Sequence, residues 1–94
     1  MAIHADDAAT LLKALSNKNR LMILCILSEQ ELSVSDLLEQ LPLGQSALSQ
    51  HLAVLRRDGI VQTRRQSQTI FYALADSKAS QVIHLLHRLY CGDN

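Results

Sequence analysis

No stretch of this 94-residue chain approaches the roughly 20 consecutive apolar residues that a membrane-spanning helix needs. Nor does it open with the charged-then-apolar order of a secretory leader, so a cytoplasmic location without a membrane partner is expected. Its three glycines are scattered and build no phosphate-cradling loop. No nucleophile, base and orienting acid fall into a recognisable arrangement, so an enzyme is not expected. Net charge is missing too, with nine Lys and Arg against nine Asp and Glu, a balance that argues for modest nonspecific affinity toward any polyanion.

What remains is globular. A hydrophobic content of 48% with 19% charged residues fits a single folded domain over 1–94 rather than a disordered chain. The charge is unevenly placed: between residues 41 and 74, Arg56, Arg57, Arg64 and Arg65 face only Asp58, whereas most acid lies earlier, at Asp6, Asp7, Glu29, Glu31, Asp36 and Glu39.

Val34, Leu37, Leu38 and Leu41 recur at i, i+3, i+4 and i+7 and make one stripe of a helix, with Ser33 as its N-cap and Asp36 in its first turn. Pro42 stops it. Leu43 and Gly44 form a short joint, and a second helix is expected from about Gln45 to Asp58, with Gly59 ending it. On that helix Leu48, Leu52 and Leu55 point one way, while Ser46, Ser49, Gln50, Ala53 and Arg57 cluster on the other side. An acid-free face of short hydrogen-bonding side chains suits base edges and phosphates in a major groove; the plainer reading is a merely polar surface. The following segments decide between them. Ile60 to Arg65 and Gln68 to Leu74 are β-branched and aromatic, with Ile70, Tyr72 and Leu74 alternating, and so read as a hairpin whose tip carries Arg64, Arg65, Gln66 and Ser67. Two short helices, a tight joint and a basic ribbon are the plan of a winged helix-turn-helix, mainly α with a small β-hairpin. The expected contacts to double-stranded DNA are Gln45, Ser46, Ser49, Gln50, His51, Arg57, Arg64, Arg65 and Gln66.

The flanking helices carry further stripes: Ala8, Leu11, Leu12 and Leu15 near the start, and Val82, Leu85, Leu86 and Leu89, widened by Ile83 and Tyr90, near the end. These exceed what one small core needs. A homodimer is therefore expected, joined through Leu11, Leu12, Leu15, Val82, Leu85, Leu86 and Leu89 and facing a pseudo-palindromic operator. The alternative is that both stripes simply cover the monomer core.

At these residues the chain resembles a known family. QSALSQHLAVLRRDGIV, the basic hairpin and FYAL are similar to the ArsR/SmtB family of bacterial transcriptional regulators, and LLKALSNKNRLMIL resembles that family's second-helix signature. ELSVSDL, QTIFY and LLHRLYC look most like its HlyU and BigR branch. The resemblance implies about five helices and a two-stranded wing in the order ααααββα, assembled as a dimer. Two departures are visible. Lys18 replaces a common proline after the Asn17-type cap, and the wing tip lacks the usual glycine, where Gln66 and Ser67 are expected to turn instead.

The family includes metal sensors, yet Ser33 and Ser35 stand where its thiolate motif has ligands, and a neutral hydroxyl is a poor soft-metal ligand. At the last helix Asp76 is followed by Lys78 where a histidine is wanted, and the distal pair becomes Leu89 and Gly92. His84 and His87 lie one turn apart and are capable of chelation, although surface histidines are the plainer reading; His4 sits at the chain end. No metal or other cofactor is expected. Cys25 lies within the apolar LMILCIL and Cys91 at the end of the last helix; read alone, they are a core residue and an incidental thiol. The resemblance to the HlyU and BigR branch implies instead a thiol pair responding to oxidants or reactive sulfur, reversible in a reducing cytosol. Open beside this stand the same DNA-binding regulator without thiol sensing, activating by displacing a nucleoid silencer, one sensing metal through an unrecognised site, and a protein-only adaptor.

Overall fold

The computed structural model describes residues 2–91. A turn of 3-10 helix at Ala2–His4 leads into α1 (Ala5–Leu15), followed by α2 (Lys18–Leu27), β1 (Leu32–Ser33), α3 (Val34–Gln40), α4 (Gln45–Arg57), β2 (Val61–Gln66), β3 (Thr69–Leu74) and α5 (Lys78–Tyr90). The five helices stand in the expected order. The sheet differs from expectation: Leu32 pairs with Tyr72 and Ser33 with Phe71, so a third antiparallel strand joins the wing in the order β1-β3-β2. Two residues are too few to show a period of two, and Ser33 also serves the following helix, which hides the strand in the sequence.

Local chemistry explains where the helices begin. Asn17 accepts the backbone N–H of Arg20 at 3.1 Å, so Lys18 opens α2 as readily as proline would. Ser33 Oγ accepts the Asp36 N–H at 3.2 Å and Asp36 Oδ2 accepts the Ser33 N–H at 3.4 Å, closing a reciprocal cap on α3. Ser77 and Ser80 repeat the device on α5. Gly44 precedes α4 and offers no side-chain cap. The helix ends at Arg57, one residue before expectation, because Asp58 is already its C-cap and Gly59 takes the left-handed conformation at φ 73°.

Every helix sends leucine or isoleucine into one core, with Ile23, Leu24, Leu37, Leu48, Leu52, Leu55 and Ile83 fully buried. Truncating one of these to alanine costs about 2 to 5 kcal/mol. Leu15 and Ile83 belong to this monomer core, which corrects the expectation that Leu15 lies at an interface. Leu11 and Val82 pack against the core as well. Adjacent helical positions diverge by about 100°, so Leu11 and Leu15 turn inward while Leu12 does not. Leu12, Leu85, Leu89 and Tyr90 remain exposed, at 58%, 43%, 65% and 83%. No helix among the described residues is long and apolar enough to cross a membrane.

Candidate nucleic-acid interface

On α4 the buried Leu48, Leu52 and Leu55 anchor one side, leaving Gln45, Ser46, Ser49, Gln50, Ala53, Arg56 and Arg57 exposed. Ser46, Ser49, Gln50, Ala53 and Arg57 fall within an arc of about 100° and form a continuous face. Its only charge comes from arginine. Arg57 Nε meets Asp58 Oδ1 at 3.2 Å, but with 72% of its side chain exposed it stays accessible to an anion. Ser49, Ala53, Arg56, Arg57 and Tyr72 line a shallow concavity between this helix and the sheet. Arg56 and Tyr72 were not among the sequence candidates; the pairing of β2 with β3 brings the tyrosine there from 15 or more residues downstream of the helix, a proximity no local pattern encodes.

His51 lies apart from that face. It is half-buried, and its Nδ1 accepts the Arg20 Nε–H at 3.4 Å, while Arg20 Nη1 donates to the Ala14 carbonyl at 3.2 Å. Arg20 carries no sequence signal for this role, since it sits 31 residues from its partner.

In the wing, β2 and β3 pair from Val61↔Leu74 to Gln66↔Thr69, so each strand starts one residue later than expected and the turn falls at Ser67 and Gln68 instead of Gln66 and Ser67. Ser67 takes φ 57°, a left-handed conformation that favours glycine, and the Arg65 Nε–H donates to its carbonyl at 3.3 Å. The two neighbouring arginines have different fates. Arg64 donates through Nε and lies within 2.7 Å of Glu31 Oε1 through Nη2 as well; Nη1 reaches Gln66 Oε1 at 2.9 Å, and the guanidinium lies 4.8 Å from the Phe71 ring centroid. The Glu31 hydrogen bond raises its pKa above the ordinary value. Arg64 and Gln66 are thus tied to each other and to an acid, whereas Arg65, on the opposite face of the strand, has its charge unpaired by any carboxylate among the described residues.

Behind this surface, α2 packs on α5 and brings two free thiols to one region. Cys25 is half-buried and Cys91 exposed at the end of α5, its N–H donating to the His87 carbonyl at 2.8 Å. Burial pushes the Cys25 thiol above its usual pKa, with Cys91 and then Glu29 adding to the shift. His87 Nε2 contacts Glu29 Oε2 at 3.1 Å, and Ser28 Oγ donates to the Cys25 carbonyl at 2.6 Å. Among the described residues no group of three or more His, Cys, Asp or Glu is placed to hold a metal ion. Gly92, one of the substituted metal positions, lies outside the described residues. His4 lines a cleft of about 490 Å³ with Asp7, Leu11, Asp58 and Lys78.

A helix pair joined by a tight turn, a polar acid-free face on its second member and a basic hairpin beside it define a winged helix-turn-helix regulator. Residues 17–63 match the family described as bacterial regulatory protein, arsR family. The chain is 58% identical to the transcriptional activator HlyU of Vibrio cholerae over 94 residues, covering 100% of this chain and 87% of that one. It is 47% identical to the biofilm growth-associated repressor of Xylella fastidiosa, covering 97% and 80%. The solved structure of reduced HlyU from Vibrio cholerae N16961 superposes with a TM-score of 0.89 at 55% identity, covering 97% of this chain and 96% of that one. This chain belongs to the arsR family of bacterial regulatory proteins, and it is a transcriptional regulator of the HlyU and BigR type. Its matched relatives are regulators rather than enzymes.

Proposed function

We propose that the protein binds a pseudo-palindromic operator as a two-fold homodimer and that a reversible link between Cys25 and Cys91 controls this binding. Ser46, Ser49 and Gln50 read base edges; Gln45, Arg57 and Arg65 hold phosphates; Arg64 and Gln66 brace the wing. The exposed Leu12, Leu85 and Leu89, continued by Leu86 and Tyr90, bury themselves against the second copy.

The observation that supports the switch is one of placement: α2 packs on α5, and the two free cysteines lie on these paired helices, Cys25 half-buried within α2 and Cys91 exposed at the end of α5. Hydrogen peroxide would take two electrons and two protons from the pair, leaving one sulfur–sulfur bond and two waters. An inorganic trisulfide, H2S3, would instead break both of its sulfur–sulfur bonds, its two terminal sulfurs taking up the two thiol protons and leaving as two hydrogen sulfide molecules while its central sulfur bridges the two Sγ atoms. The link joins the helix that carries the dimer face to the helix behind the DNA-reading pair, so it alters the spacing of the two reading helices and lowers operator affinity.

The test is operator binding by wild type, Cys25→Ser and Cys91→Ser, each reduced and then treated with peroxide or polysulfide. Wild type should lose affinity on treatment and both variants should keep it. A wild type with equal affinity in both states removes the switch and leaves the second reading, that of a thiol-independent activator, which the activator role named for the 58%-identical relative favours.

A further inference from the structure

Arg20 touches three elements at once. Its backbone N–H is held by the Asn17 cap at the start of α2, its Nη1 donates to the carbonyl of Ala14 in the last turn of α1, and its Nε donates to Nδ1 of His51 in the middle of α4. Both side-chain contacts are partly buried. Nδ1 accepts only when it carries no proton, so this arrangement selects the neutral imidazole with its hydrogen on Nε2. His51 is turned roughly 70° from the centre of the buried stripe and about twice that from the centre of the polar face, so it faces α1 and α2 rather than the middle of a groove.

We infer that Arg20 is a positioning residue which, through the Nε2–H form of His51, fixes the orientation of the reading helix α4 relative to the helix α1, and so sets the distance between half-sites that the dimer accepts. This rests on the dimeric operator-binding reading above. The physical ground is the rigidity of the bridge: a planar guanidinium donating in two directions holds α1 and α4 at one angle, whereas a flexible apolar side chain in its place holds neither. Placement of the two reading helices is what a two-fold regulator measures in its operator, where half-sites lie about one helical turn apart.

Three readouts test it. In DNA-free wild type, nitrogen-15 spectra of the His51 ring should show Nε2 protonated and a bare Nδ1 shifted by an accepted hydrogen bond, and Arg20→Met should move the Nδ1 resonance to the position of a bare nitrogen without that bond. Wild type should discriminate between its selected operator and versions with one base pair added to or removed from the spacer, and Arg20→Met should reduce that discrimination about fivefold, the worth of one hydrogen bond. His51→Gln, which keeps an acceptor, should retain it, and His51→Leu, which has none, should lose it. A merely structural Arg20 would weaken binding to every spacer alike and leave the ratio unchanged, which overturns the proposal, as does a wild-type ring protonated on Nδ1. Should Arg20→Met not fold, the His51→Leu ratio decides the same point. The ring spectrum needs neither DNA nor dimer, so its failure counts against the Arg20–His51 bridge alone; a wild type that sediments as a monomer or binds no duplex removes the operator reading and the spacing claim with it.

Discussion

Two neighbouring arginines on β2 show how much a single residue's surroundings decide. Arg65 has a guanidinium that no carboxylate among the described residues pairs, so Arg65→Ala should weaken binding to all sequences alike and flatten the dependence of log affinity on log salt by about one unit of slope. Arg64 is already neutralised by Glu31. Glu31→Gln should therefore free it for phosphate and steepen the slope by about 0.9. Salt titrations of the two variants against one duplex measure both effects, and equal slopes for wild type and both variants would place the wing away from DNA. On α4, Gln50→Ala should relax sequence preference at one position of each half-site, at a cost of about 1 to 3 kcal/mol, read by competition among operator variants. The polar face was legible because its residues recur at helical spacing. The fate of Arg64 was not, because its partner lies 33 positions upstream, and neither charge alone announces a pair.

At the level of elements, the helices were readable and the sheet only partly so. Leucine periodicity, Pro42 and Gly59 marked α3 and α4 to within a residue, since each signal acts on its immediate neighbours. The strand Leu32–Ser33 exists only because β3 comes to lie beside it, and no local pattern reports that. The same limit applies to the α2–α5 contact, where Cys25 and Cys91 were paired through family resemblance and not through spacing. That contact carries its own prediction. A thiol reacts as thiolate, and the Cys25 pKa is raised, so less Cys25 is ionised at neutral pH than in an ordinary cysteine. Formation of the link should therefore keep accelerating as pH rises past about 8.5, the ordinary thiol value, wherever attack by Cys25 limits the rate. Stopped oxidation followed by mass measurement checks this. A rate that levels off at or below that pH would show that Cys25 is not the limiting nucleophile.

For the whole molecule, the proposed dimer would have to use the apolar surface left over by the core. Leu12, Leu85 and Leu89 are exposed on the first and last helices, so Leu89→Glu or Leu12→Glu should turn a micromolar dimer into monomer, because burying an unpaired carboxylate costs several kcal/mol. Sedimentation at that concentration checks it, and a monomeric wild type contradicts the assembly outright. Leu15 would give a different result, since it is buried in its own monomer and its truncation should lower stability rather than change association.

The third strand has a bearing on aggregation. With β1 along one side, β3 is an interior strand over Phe71 and Tyr72, and the long unpaired edge of the sheet among the described residues is that of β2. Such an edge invites another chain to add to it, and proteins commonly deter this with cations. Here the edge carries Arg64 and Arg65 in succession. Two copies meeting edge to edge in an antiparallel register centred on Arg65 would bring its guanidinium against that of the second copy, a repulsion that disfavours ribbon growth.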